Sequence, residues 1–85
     1  MTVLEQIIEQ FSDEEFLVAD GLDEALVGIV PKTMQLVYDT DKIIEILMNR
    51  DGMSEEDAFE YFYYNIEGAY VGEETPIFIM TYGVH

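Results

Sequence analysis

The chain has no cysteine and no tryptophan, a single histidine, His85, and only three Lys/Arg among its 85 residues. Without cysteine there is no disulfide framework and no thiolate metal site. A lone imidazole on the last residue, where chain ends are commonly mobile, removes the usual general base and the commonest metal ligand. Ser12 and Ser54 are the only serines, and both suit turn or capping roles rather than a nucleophile's. Long apolar runs are missing too. The longest, Ala25 to Val30, is far short of the roughly 20 residues that a membrane-spanning helix needs, and Met1-Thr2-Val3 has no basic leader. The expected compartment is therefore the cytosol, with no membrane partner.

What the chain has in excess is acid. Nineteen Asp/Glu set the net charge at −16 and the pI near 4.1. A hydrophobic fraction of 49 % with 13 % aromatics is too apolar for a disordered acidic tail, which predicts one folded domain over residues 1–85. A chain of this size exposes on the order of 5,000 Å², about one net charge per 300 Å². Duplex DNA carries about one per 100 Å², so acids gathered on one face would approach the density of phosphates. Solubility alone asks for a net charge of only about −2 to −8. Glu5/Glu9, Asp41/Glu45 and Glu56/Glu60 are like-charge pairs at i,i+4, each costing a few tenths of a kcal/mol on a helix. Stability does not explain such a pattern.

Along the chain, Thr2-Val3-Leu4-Glu5 is a capping box, and Leu4, Ile7, Ile8 and Phe11 continue it as a helix to about Phe11. Phe16–Ala19 suits a short strand. Asp20-Gly21 is a turn, and residues 25 to 38 form a β-hairpin whose loop carries Lys32. A second helix starts with Asp39 or Thr40 as N-cap, buries Ile43, Ile44, Leu47 and Met48, and stops at Gly52. Ser54 opens a third, in which two apolar stripes compete: Phe59, Phe62, Tyr63, Ile66, Tyr70 against Ala58, Tyr61, Phe62, Asn65, Ala69. Phe62 is core in both, and Tyr64 lies off both, which marks it as the exposed aromatic. Gly68 and Gly72 end the helix, and Ile77–Tyr82 is a last strand. The order predicts an α+β domain: a small antiparallel sheet of three or four strands with three helices packed mainly on one face.

No catalytic or cofactor motif stands out. EF-hand spacing fails from Asp20, where Leu22 takes the third position, and from Asp39, where Ile43 takes the fifth. Gly68-Ala69-Tyr70-Val71-Gly72 lacks dinucleotide-loop spacing, and the charge repels phosphate, so direct nucleic-acid binding is not expected. The partner that suits this surface is basic. Glu56, Asp57, Glu60, Tyr63, Tyr64 and Glu67 on the third helix, with Glu73 and Glu74 beyond it, form the candidate partner-binding surface. There acids steer the encounter and an amphipathic ring anchors it.

The run Ile46-Leu47-Met48-Asn49-Arg50-Asp51-Gly52-Met53-Ser54-Glu55-Glu56-Asp57-Ala58, with Glu60-Tyr61-Phe62, Asn65, Gly68-Ala69-Tyr70-Val71-Gly72-Glu73 and Thr75-Pro76, resembles a family of small uncharacterised tailed-bacteriophage proteins. Asp20-Gly21-Leu22-Asp23-Glu24-Ala25 and Val37-Tyr38-Asp39 fit it too, so the likeness spans most of residues 20 to 80. The resemblance implies a phage origin and brings no catalytic residues. Small acidic phage proteins are often DNA mimics that block restriction enzymes, CRISPR effectors or DNA-repair enzymes, an analogy of class and charge. The expected function is that of a non-enzymatic, cofactor-free inhibitor seated on a basic, nucleic-acid-binding host protein. The alternative is an accessory or assembly factor that uses an apolar or aromatic patch.

Overall fold

The computed structural model describes residues 1–70, 72 and 74–82. The first helix, α1 (Val3–Gln10), begins at the capping box: Thr2 Oγ1 accepts the Glu5 amide at 3.1 Å, and the Glu5 carboxylate accepts the Thr2 amide at 3.4 Å. Phe16–Ala19 forms no strand. Its last amide goes elsewhere: the buried Ala19 N–H donates to the Tyr38 hydroxyl at 3.0 Å, a side-chain partner in place of a ladder.

A hairpin follows, with β1 (Leu26–Val30) and β2 (Gln35–Asp39) antiparallel. Leu26 pairs with Tyr38, yet Gly28 pairs with Val37, so Val27 is the extra residue of a β-bulge. The bulge matters for phase. Leu26 and Ile29 are an odd number of residues apart and would otherwise point to opposite faces; inserting one residue brings both to the side carrying the buried Leu36 and Tyr38.

Helix α2 (Thr40–Asp51) starts at Asp39, whose carboxylate accepts the Asp41 amide at 3.1 Å, and ends at Gly52 in the left-handed conformation, φ 71°. That conformation carries little penalty for glycine alone. Helix α3 (Glu55–Tyr61) is capped by the Ser54 hydroxyl, which accepts the Asp57 amide at 3.2 Å. The helix then widens into a π turn, Phe62–Ile66, and tightens into a 3-10 turn, Glu67–Ala69. The last strand, β3 (Ile77–Ile79), lies beside β2 and parallel to it, giving the order β1-β2-β3.

The fold is thus α+β, with three α-helices among the described residues, and its sheet is mixed rather than wholly antiparallel. The reason is the connection. Two helices intervene between β2 and β3, enough chain for the crossover that a parallel pair requires. β3 is also shorter than the apolar run Ile77–Tyr82, since pairing ends at Ile79 and Thr81 donates its hydroxyl to the Asp39 carboxylate at 3.2 Å.

Leu36, Tyr38, Ile43, Leu47 and Phe62 fill the centre. Met48, expected inside, is 36 % exposed, whereas Ile46 is buried. Helix α2 packs against a 3-10 turn at Asp23–Ala25 as well as against α3 and β2, so its buried face is wider than a single stripe and is displaced toward Ile46.

Candidate partner-binding surface

The aromatic run 61–64 is accommodated by the π turn. Ala58, Phe62 and Ile66 are buried in one line, with Phe59 half-buried beside them, so neither of the two candidate stripes is followed throughout. At about 4.4 residues per turn, Phe62 and Ile66 stay on one side where an α-helix would drift. Gly68 makes the tight exit possible. A Cβ there would stand 3.0 Å from the Tyr63 carbonyl oxygen, a contact so tight that the backbone would have to give by a few tenths of an ångström.

Tyr63 and Tyr64 consequently differ. Tyr63 is 48 % exposed and its ring lies on the core edge, stacked on Phe59 with centroids 6.2 Å apart and edge-on to Phe62 at 5.4 Å. Phe62 in turn meets Phe78 at 5.4 Å, and Phe78 meets Tyr38 at 5.9 Å. Ring contacts run without a break from the sheet to the surface and hold Tyr63 in place. Tyr64 is 80 % exposed and takes part in no ring contact among the described residues. Two further exposed aromatics, Tyr61 and Tyr82, had no sequence signal marking them, because exposure at a helix edge or after a short strand depends on tertiary packing.

Glu56, Asp57, Glu60 and Glu67 are all exposed on the α3 segment, and Glu74 is exposed in the following loop; Glu73 lies outside the described residues. Residues 51–85 hold eight acids and no Lys or Arg. Ion pairing is sparse elsewhere too. Lys42 meets Glu45 at 3.6 Å and Arg50 meets Asp51 at 3.1 Å, and among the described residues every other carboxylate is without an ion pair. Arg50 also donates to the Gly21 carbonyl at 2.7 Å, tying the 20–22 turn to α2. Its neighbour Asp51 raises the guanidinium's pKa by hydrogen bonding and charge attraction.

The accessible surface is 5769 Å² for 16 net charges, about 360 Å² each, still several-fold sparser than DNA on average. All described acids are exposed except Asp39, which is half-buried. Acid–base catalysis by a carboxyl pair needs one member desolvated in a pocket. Among the described residues no carboxyl is buried, and no group of three or more acids, His or Cys is placed to hold a metal ion. No helix of the described residues is long and apolar enough to cross a membrane.

Two open clefts flank α2. One, about 350 Å³, is lined by Gly21, Asp23, Glu24, Lys42, Glu45 and Arg50 among others, and mixes both signs of charge, with Lys42 and Glu45 paired within it. The other, about 420 Å³, lies between α2 and α3 and is lined by Asp41, Ile44, Glu45, Met48, Glu55 and Phe59. Comparison of the chain with family models, with curated proteins and with solved structures found no match. The class that fold and surface define is therefore a small α+β domain with a strongly acidic, ion-pair-poor surface.

Proposed function

We propose that the chain is a non-enzymatic binding protein that occupies a basic, nucleic-acid-binding site on another protein, acting as a DNA-mimic inhibitor of phage type in the bacterial cytoplasm. One observation carries the reading: residues 51–85 hold eight acids and no Lys or Arg to offset them, and the described carboxylates on α3 are exposed and unpaired. Unpaired charge next to charge destabilises an isolated domain, and that cost is offset when a Lys/Arg channel supplies the missing counter-charges. The acids govern encounter. Tyr64, exposed among them, provides the amphipathic anchor that charged residues lack.

The test is capture of basic nucleic-acid-handling proteins from bacterial lysate, followed by competition of the captured partner between this protein and duplex or single-stranded nucleic acid. Mutual exclusion is expected. A partner that binds both together would replace this reading with that of an accessory or assembly factor using an apolar patch.

A further inference from the structure

The cleft between α2 and α3 differs in kind from the outer face of α3. Its floor is apolar: Ile44 is buried, Met48 and Phe59 are partly exposed, and Phe59 is backed by the stacked ring of Tyr63. Its rim is acidic. Asp41, Glu45 and Met48 follow i, i+4, i+7 spacing along one face of α2, and Glu55 and Phe59 stand i, i+4 on α3, so two rows of carboxylate and apolar groups face a common space of about 420 Å³. Lys42 is bonded to Glu45, and neither other cation lines the space, so the charge left over the apolar floor is negative.

We infer that this cleft is a docking groove for a basic amphipathic segment of a partner protein, one that seats an apolar side chain on Met48 and Phe59 and sets Lys or Arg against the unpaired Asp41 and Glu55. The inference deepens the proposed function and takes from it only that the partner is basic. Charge complementarity selects this occupant. A phosphate-bearing ligand meets the unpaired carboxylates of Asp41 and Glu55, and a second copy of the chain brings another −16. A purely charged peptide leaves the floor unfilled, and a purely apolar one leaves the rim unpaired. Methionine suits the role because its unbranched, polarizable side chain repacks around different anchors.

The experiment titrates the full chain with a fluorescein-labelled helical peptide of about 18 residues, with leucines at i, i+3, i+4, i+7 and Lys/Arg elsewhere. Two control peptides replace the leucines by serine or the cations by glutamine. Fluorescence anisotropy should show both controls binding at least about tenfold more weakly than the parent. Met48→Gln, a change of an exposed side chain, should weaken the parent peptide about fivefold while sparing the serine control. Glu55→Gln should lower affinity for both cationic peptides. Amide shifts on binding should centre on Ile44, Met48 and Phe59. If the serine control binds within about twofold of the parent, or Met48→Gln melts normally and binds the parent unchanged, the groove is wrong and only diffuse attraction to acid remains. That outcome leaves the competition with nucleic acid untouched, just as failure of the competition leaves the peptide result intact.

Discussion

Tyr38 shows how a single hydroxyl can organise a small core. It is fully buried, its ring meets Phe78, and its oxygen accepts the Ala19 amide, fastening the 16–19 segment to the sheet. Burial pushes the phenol pKa above its ordinary value, although the Ala19 hydrogen bond pulls the other way. The unfolded chain therefore releases this proton first as pH rises. The stability that Tyr38 contributes is complete below about pH 10 and declines above it. Urea melts from pH 8 to 11 should show a fall at the alkaline end, and Tyr38→Phe should lose that component. The Phe variant should be less stable at pH 8 by about 1–2 kcal/mol, because the Ala19 amide is left buried and unpaired. An unchanged melt would mean that water satisfies Ala19 equally well. The local caps at Thr2, Ser54 and Gly52 were legible because each acts within five residues; the Ala19–Tyr38 bond, nineteen residues apart, has no local sequence signature.

At the scale of elements, most helices and the hairpin were legible from periodicity and turns, and each failure has its own physical reason. The aromatic run 61–64 is ambiguous because an α-helical repeat is the wrong ruler for a segment that becomes a π turn. Met48 reads as core until the packing partners of α2 are known, and the direction of β3 is set by its crossover rather than by its own residues. The π turn ends against Gly68, so Gly68→Ala should force the Tyr63 carbonyl away. We expect a loss of about 1 kcal/mol, a fall in melting temperature of several degrees, and amide shift changes concentrated in residues 62–69. A variant that melts like the parent, with shifts confined to its neighbours, would show that the exit turn yields freely.

For the whole molecule, the charge was legible and its three-dimensional use only partly so. Glu56, Glu60, Tyr64 and Glu67 are exposed along the α3 segment, but the acid-rimmed groove needs the tertiary approach of two helices and leaves no linear motif. Self-repulsion among 19 acids outweighs attraction to three cations, so raising sodium chloride from about 10 mM to about 300 mM should raise the melting temperature of the isolated protein. A fall over that range would mean that specific ion pairs dominate.

The most direct test of phosphate imitation is competition on a captured basic partner, with immobilised nucleic acid as the reference ligand. The protein should displace nucleic acid stoichiometrically. The combined variant Glu56→Lys, Glu60→Lys, Glu67→Lys keeps a like-charge pair at 56/60 but brings the net charge from −16 to −10, so it should fold about as well as the parent yet fail to displace. A ternary complex of partner, nucleic acid and protein, with the triple variant binding within about threefold of the parent, roughly 0.7 kcal/mol, would contradict the account.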